Sequence, residues 1–125
     1  MTIRTTKEQE IKHNFIAGEW RPGIEYMQNI NPSDTDDVIA RYAIASGNDV
    51  QDAVSAAVTA VPVWSSSTSG ERFEILDAIG SEIIQRKDEL GDLLAREEGK
   101  TLKEAVAEAH RAGSLFKFFA AEVYR

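Results

Sequence analysis

The pattern of apolar positions changes character at Ser46. Before it, apolar residues come in short runs separated by Gly, Pro, Asn and Asp. In HNFIAGEW, the strand-type residues Phe15 and Trp20 flank Ala17-Gly18. A tight hairpin is expected there, because glycine takes the positive φ such turns need. Ile24 to Ile30 is compatible with a second short strand pair, and Asn31-Pro32-Ser33-Asp34 predicts a turn. Val38, Ala40, Tyr42 and Ile44 then alternate with Ile39, Arg41, Ala43 and Ala45, a period of two that predicts a strand.

After Ser46 the spacing is helical. Val50, Ala53, Val54, Ala57, Val58 and Val61 follow one another at three and four, which is one face of a helix. Asn48 is the expected cap, with Gln51 completing a capping box; Pro62 is the expected stop, and WSSSTSG the loop that follows. Thr68 with Glu71 opens a second helix, whose apolar face is Phe73, Leu76, Ile79, Ile83 and Ile84. Beyond Gln85 to Asp88 the pattern resumes at Leu90, Leu93 and Leu94, so this helix either continues or gives way to another. Gly99 falls where a left-handed residue closes a last turn, and Thr101 with Glu104 starts a final helix from about Leu102. The expected organisation is a frayed polar start over 1–13, short β-strands and turns over 14–45, and a helical segment over 46–125. The architecture is thus a small β N-terminus followed by three or four α-helices.

EEGKT, Glu97 to Thr101, ends the way a phosphate-binding loop ends. The full loop needs a glycine five positions before Gly99, where Leu94 stands. It must also leave a strand, and Leu90 to Arg96 has helical spacing. Glu97 and Glu98 would repel a phosphate. The Gly-Lys-Thr run is therefore read as helix punctuation: stop, joint, start.

The 125 residues, 42% of them hydrophobic, suit one ordinary domain. A formal net charge of -7 leaves no electrostatic footprint for nucleic acid or an anionic membrane. The absence of cysteine excludes a disulfide, a thiolate metal site or a cysteine nucleophile within these residues. The polar start lacks the apolar core of a signal peptide, and no apolar run is long enough to span a bilayer, so a soluble, cytoplasmic chain is expected.

No catalytic constellation stands out. His13 and His110 have no partner at metal-ligand spacing and read as surface residues. The serines of WSSSTSG lack a nearby histidine. Arg111, three residues after Glu108, has a helix-surface ion pair as its default role. Trp20 and Trp64 read as packing anchors. The C-terminal LFKFFAAEVYR is the most unusual stretch, since Phe116 and Phe118 cannot face one side of a helix. A helix apolar most of the way round is normally buried on more than one side. It either docks on its own core or is covered by further chain.

Taken in order, NFIAGEW, INPSDTDDVIA, DVQDAVSAAVTAVPVW, GERFEILDAIGSEIIQRKDELGDLLAREEGKTLKEA and FFAAEVYR resemble the amino-terminal portion of an NAD(P)-dependent aldehyde dehydrogenase. The resemblance runs from about Asn14 to Arg125 and is greatest to the branch that oxidises 2-oxoglutarate semialdehyde (2,5-dioxovalerate). It implies the α/β aldehyde dehydrogenase fold for the full-length protein, with this segment preceding the nucleotide-binding core and packing its helices against it. It also implies oxidation of an aldehyde to its acid with NAD or NADP, and a homodimer or tetramer, with no nucleic-acid or membrane partner. The family's nucleophilic cysteine, glutamate base and glycine-rich cofactor turn come later in its chains. No catalytic or cofactor-binding residue is therefore assigned here, and the 125 residues alone are expected to bind no cofactor and to be inactive.

Two placements follow from the resemblance. A monovalent cation would sit between Glu97 and the backbone carbonyls of Asn29 and Ile30, where family members often have the shorter aspartate in place of Glu97. Arg111, on a helix that borders the family's substrate tunnel, would pair with a carboxylate on the substrate. The alternative is a non-catalytic binding or scaffold domain derived from the same segment.

Overall fold

The computed structural model describes residues 10–125, which fall into two compact units, the first running to Thr59 and the second spanning Ala60–Arg125.

The first unit holds five short strands: β1 (Ile11–Lys12), β2 (Asn14–Ile16), β3 (Glu19–Arg21), β4 (Tyr26–Ile30) and β5 (Val38–Ala43). β2 and β3 form the expected antiparallel hairpin, with Phe15 opposite Trp20. Both turn residues have positive φ, 54° at Ala17 and 84° at Gly18. This is the sign that matches the twist of the flanking strands, and at Ala17 it costs roughly 1–2 kcal/mol of steric strain.

The other three strands form a sheet in the order β1-β5-β4, with β1 parallel and β4 antiparallel to the central β5. Two expectations change here. Ile11 and Lys12, inside the stretch expected to fray, pair with Arg41 and Tyr42, and the Arg41 amide donates to the Glu10 carbonyl at 2.9 Å. A polar segment can be ordered by its backbone alone when a strand edge is offered. Nor does Ile24 to Ile30 fold on itself: Tyr26–Ile30 is one strand, and its partner is β5. The intervening turn makes that pairing. The Ser33 amide donates to Asn31 Oδ1 at 2.9 Å, and the Asn31 amide donates to the Asp37 carbonyl at 3.0 Å. The buried apolar residues of this unit are Ile16 and Ala40.

α1 (Gly47–Ser66) is capped two residues earlier than the sequence suggests. The Ser46 amide and hydroxyl donate to the Asp49 carboxylate at 2.8 and 2.7 Å, and the Asp49 amide donates back to the Ser46 hydroxyl at 3.2 Å. Asp49 wins over Gln51 because its charged oxygen is the stronger acceptor. Pro62 does not stop the helix, which runs on to Ser66. Proline removes one intrahelical donor, but the serines that looked like a loop complete the last turn. The hydroxyls of Ser65, Ser66 and Ser67 donate to the carbonyls of Pro62, Val63 and Trp64 at 3.1, 3.1 and 2.6 Å.

The second unit is built on α2 (Ser69–Gln85), α3 (Lys87–Glu98) and α4 (Leu102–Glu122). α2 opens with the expected reciprocal cap, the Thr68 amide donating to Glu71 at 2.7 Å and the Glu71 amide donating to the Thr68 hydroxyl at 3.2 Å. The helical pattern after Gln85 is a new helix, separated at Arg86, whose φ of -96° and ψ of 15° leave the helical region. The Arg86 guanidinium grips Glu89 in two-pronged fashion, at 2.9 and 2.6 Å.

α4 packs against both α2 and α3. Its buried residues are small: Ala105, Ala109, Gly113 and Ala120. Gly113 faces Gly80 of α2, and Val106 of α4 faces Gly91 of α3; both glycines are buried. The backbones approach so closely that a Cβ on Gly80 would lie 2.7 Å from the Gly113 carbonyl oxygen, and one on Gly91 would lie 2.7 Å from Val106 Cα. Lys117 of α4 reaches Asp77 of α2 at 2.7 Å. No helix of the described residues is long and apolar enough to cross a membrane.

Candidate functional site

At the EEGKT joint, Gly99 has φ 70° and ψ 23°, and its amide donates to the Ala95 carbonyl at 2.9 Å, so it is the left-handed closure of α3. The Thr101 hydroxyl donates to Glu104 Oε2 at 2.7 Å and accepts from the Glu104 amide at 3.4 Å, starting α4. Lys100 between them is held by two carboxylates, Glu98 at 2.6 Å and Glu108 at 2.8 Å. Glu108 first, and Glu98 second, keep its ammonium protonated to higher pH than an ordinary lysine. A lysine engaged this way locks two helices and has no hand free for a phosphate.

That arrangement also redirects Glu108. The ion pair expected between Glu108 and Arg111 does not form, because the Glu108 carboxylate is turned to Lys100. Arg111 is exposed on α4, with no hydrogen bond or ion pair among the described residues.

Glu97 is half-buried in the last turn of α3. It borders a groove of about 410 Å³ whose other walls are apolar, among them Ile83, Leu90, Leu93 and Leu94. Asn29 and Ile30 close β4, opposite Ala40 and Val38, with a break in the ladder register between them. Such irregularities turn backbone groups away from regular pairing. Glu97 belongs to the second unit, and Asn29 and Ile30 to the first. Among the described residues, no group of three or more His, Cys, Asp or Glu is gathered at metal-binding range.

The remaining sequence candidates occupy structural positions. His13 lies with Nδ1 3.3 Å from the Tyr26 hydroxyl, and the Arg41 guanidinium sits 5.7 Å from the centre of the same Tyr26 ring. His110 is exposed, its carbonyl accepting from the Ser114 hydroxyl at 3.0 Å. The tryptophans are not buried anchors: Trp20 is 67% exposed and Trp64 45% exposed. Trp20 instead covers Phe15 across the hairpin, ring centres 4.8 Å apart, and Trp64 belongs to a helix with no buried residue.

The second unit also carries a wholly apolar groove. Leu76, Ala112, Leu115, Phe116 and Phe119 line a groove of about 460 Å³ between α2 and α4. Ala112 lines both this groove and the one beside Glu97. The small-residue seam is what the sequence reading missed. Ala105, Ala109 and Gly113 recur every four residues, a signal present in the chain but carried by residue size instead of hydrophobicity. Where the seam brings backbones together, the bulky aromatic residues of α4 are left on the rim.

Residues 20–125 match the model of the aldehyde dehydrogenase family. The chain is 38% identical over 111 residues to the alpha-ketoglutarate semialdehyde dehydrogenase of Haloferax volcanii, covering 87% of this chain and 23% of that protein. It is 37% identical over 109 residues to the malonate-semialdehyde dehydrogenase of Lacticaseibacillus casei, covering 85% and 22%. In three dimensions it is similar to an NAD-dependent aldehyde dehydrogenase from Sinorhizobium meliloti, with a TM-score of 0.85 and 22% identity over 91% of this chain and 24% of that one. The chain thus spans about a quarter of the length of the proteins it matches, and it holds a small strand-rich N-terminus and four helices. On the family match and the shared fold together, this chain belongs to the aldehyde dehydrogenase family.

Proposed function

We propose that this chain is the amino-terminal segment of an enzyme that oxidises a carboxylate-bearing aldehyde, 2-oxoglutarate semialdehyde foremost, to its acid with NAD or NADP. The observation that carries the reading is the 38% identity to the alpha-ketoglutarate semialdehyde dehydrogenase along 87% of this chain. The second relative is named for malonate semialdehyde, and both substrates present a carboxylate at the end remote from the aldehyde. Arg111 is the residue we assign to that carboxylate. Its exposure and lack of a partner among the described residues support the assignment, since a guanidinium binds a carboxylate in two-pronged fashion.

In this reading the nicotinamide cofactor accepts the hydride when bound to the full-length protein. The residues of this chain support and position; none of them reacts. The helical segment over 46–125 packs on the nucleotide-binding core, and the two grooves of α2, α3 and α4 supply apolar surface for that contact. Glu97 is the residue of this helical segment we assign to a monovalent cation in the full-length protein, and its half-buried place in the last turn of α3 supports the assignment. The full-length enzyme acts in the cytoplasm as a homodimer or tetramer.

The test is the intact mass of the gene's full product, followed by assay with 2-oxoglutarate semialdehyde, malonate semialdehyde and an uncharged aldehyde, each with NAD and with NADP. Oxidation of the charged aldehydes at higher kcat/KM is expected. Arg111→Ala should raise KM for them roughly ten- to a hundredfold, the loss of one charge-assisted contact, and leave the uncharged aldehyde nearly unchanged. Equal losses for all three substrates would remove Arg111 from the substrate site. A full product that oxidises no aldehyde would overturn the enzyme reading and favour a non-catalytic scaffold. The 125-residue chain, lacking any cysteine, is expected to be inactive by itself.

A further inference from the structure

We draw no further inference here: the strongest candidate, the apolar groove between α2 and α4 lined by Leu76, Leu115, Phe116 and Phe119, carries nothing beyond the reading above because nothing in the structure shows what covers it.

Discussion

α1 repeats valine at 50, 54 and 58, and α4 repeats alanine or glycine at 105, 109 and 113, so two stripes of identical spacing run along two helices of similar length. The valines are 57, 59 and 65% exposed, and no residue of α1 is buried. The alanines at 105 and 109 are 0 and 6% exposed, and Gly113 is buried with them. The more hydrophobic stripe is the open one. Periodicity therefore locates a helix face without saying what meets it. A seam of small residues closes because the backbones themselves come into contact, which needs only another small-residue face such as Gly80 or Gly91. A valine stripe needs a partner with matching depth. Burying one such side chain is worth about 1.5–3 kcal/mol, so α1 holds several kcal/mol of stabilisation that the described residues leave unrealised.

The largest expected effect comes from breaking the closed stripe. Gly113→Leu would drive a branched side chain into Ile84 and the Gly80 carbonyl, where even a Cβ lies at 2.6 and 2.7 Å. A loss of about 3 kcal/mol is expected, at the upper end of ordinary overpacking, read as a fall in the urea midpoint. Val54→Ser on the open stripe should cost no more than about 0.5 kcal/mol, as for other surface changes. If the two variants lose equal stability, the contrast between the helices is wrong. Gly91→Ala sharpens the same comparison. It gains up to about 1 kcal/mol of helix propensity but meets Val106 backbone, so a net loss of about 1–2 kcal/mol is expected.

Next in size is the joint that sets α4 against α3. Gly99→Ala must hold a Cβ at φ 70° and should cost roughly 1–2 kcal/mol, with Gly99→Asn milder because asparagine tolerates the left-handed region. A Gly99→Ala variant with an unshifted midpoint would mean that the joint relaxes and that α4 does not depend on it for its placement.

Elements legible in the sequence are those whose cause is local. The Ala17-Gly18 hairpin, the alternation through β5, the Thr68 and Thr101 caps and the Gly99 stop each rest on residues within one turn of one another. β1 was not legible, because Ile11 and Lys12 are ordered by Arg41 and Tyr42, some thirty positions away. The end of α1 was misread because Pro62 was weighed alone, whereas the helix runs past it and three serine hydroxyls cap its final carbonyls. The candidate site was less legible still. Arg111, Glu97, Asn29 and Ile30 carry no local pattern that marks them, and only resemblance to a family singled them out. The structure adds that Glu108 is committed to Lys100, which no reading of i,i+3 spacing could decide between two available cations.

The smallest effect contrasts the caps of the two helices. The Asp49 carboxylate is held below its usual titration range by the hydroxyl and amide of Ser46, and the Glu71 carboxylate by the amide and hydroxyl of Thr68. Each therefore titrates lower in the folded chain than in the unfolded one. Cap stabilisation is complete above the ordinary carboxylate range near pH 4, and it is lost as pH falls through that range toward the folded value. The consequences should differ because the helices behind the caps differ. α2 is held by α4 through Gly80 and through the Asp77–Lys117 pair, so protonating Glu71 leaves it anchored. α1 buries nothing, so protonating Asp49 should fray its first turn at once. Amide exchange between pH 6 and pH 3 is expected to quicken at Val50 to Ala53 before it does at Arg72 to Ile75, and Asp49→Asn should remove most of the pH dependence at the α1 end. Simultaneous fraying of both ends would mean that the caps act alone, with tertiary packing adding nothing to either helix start.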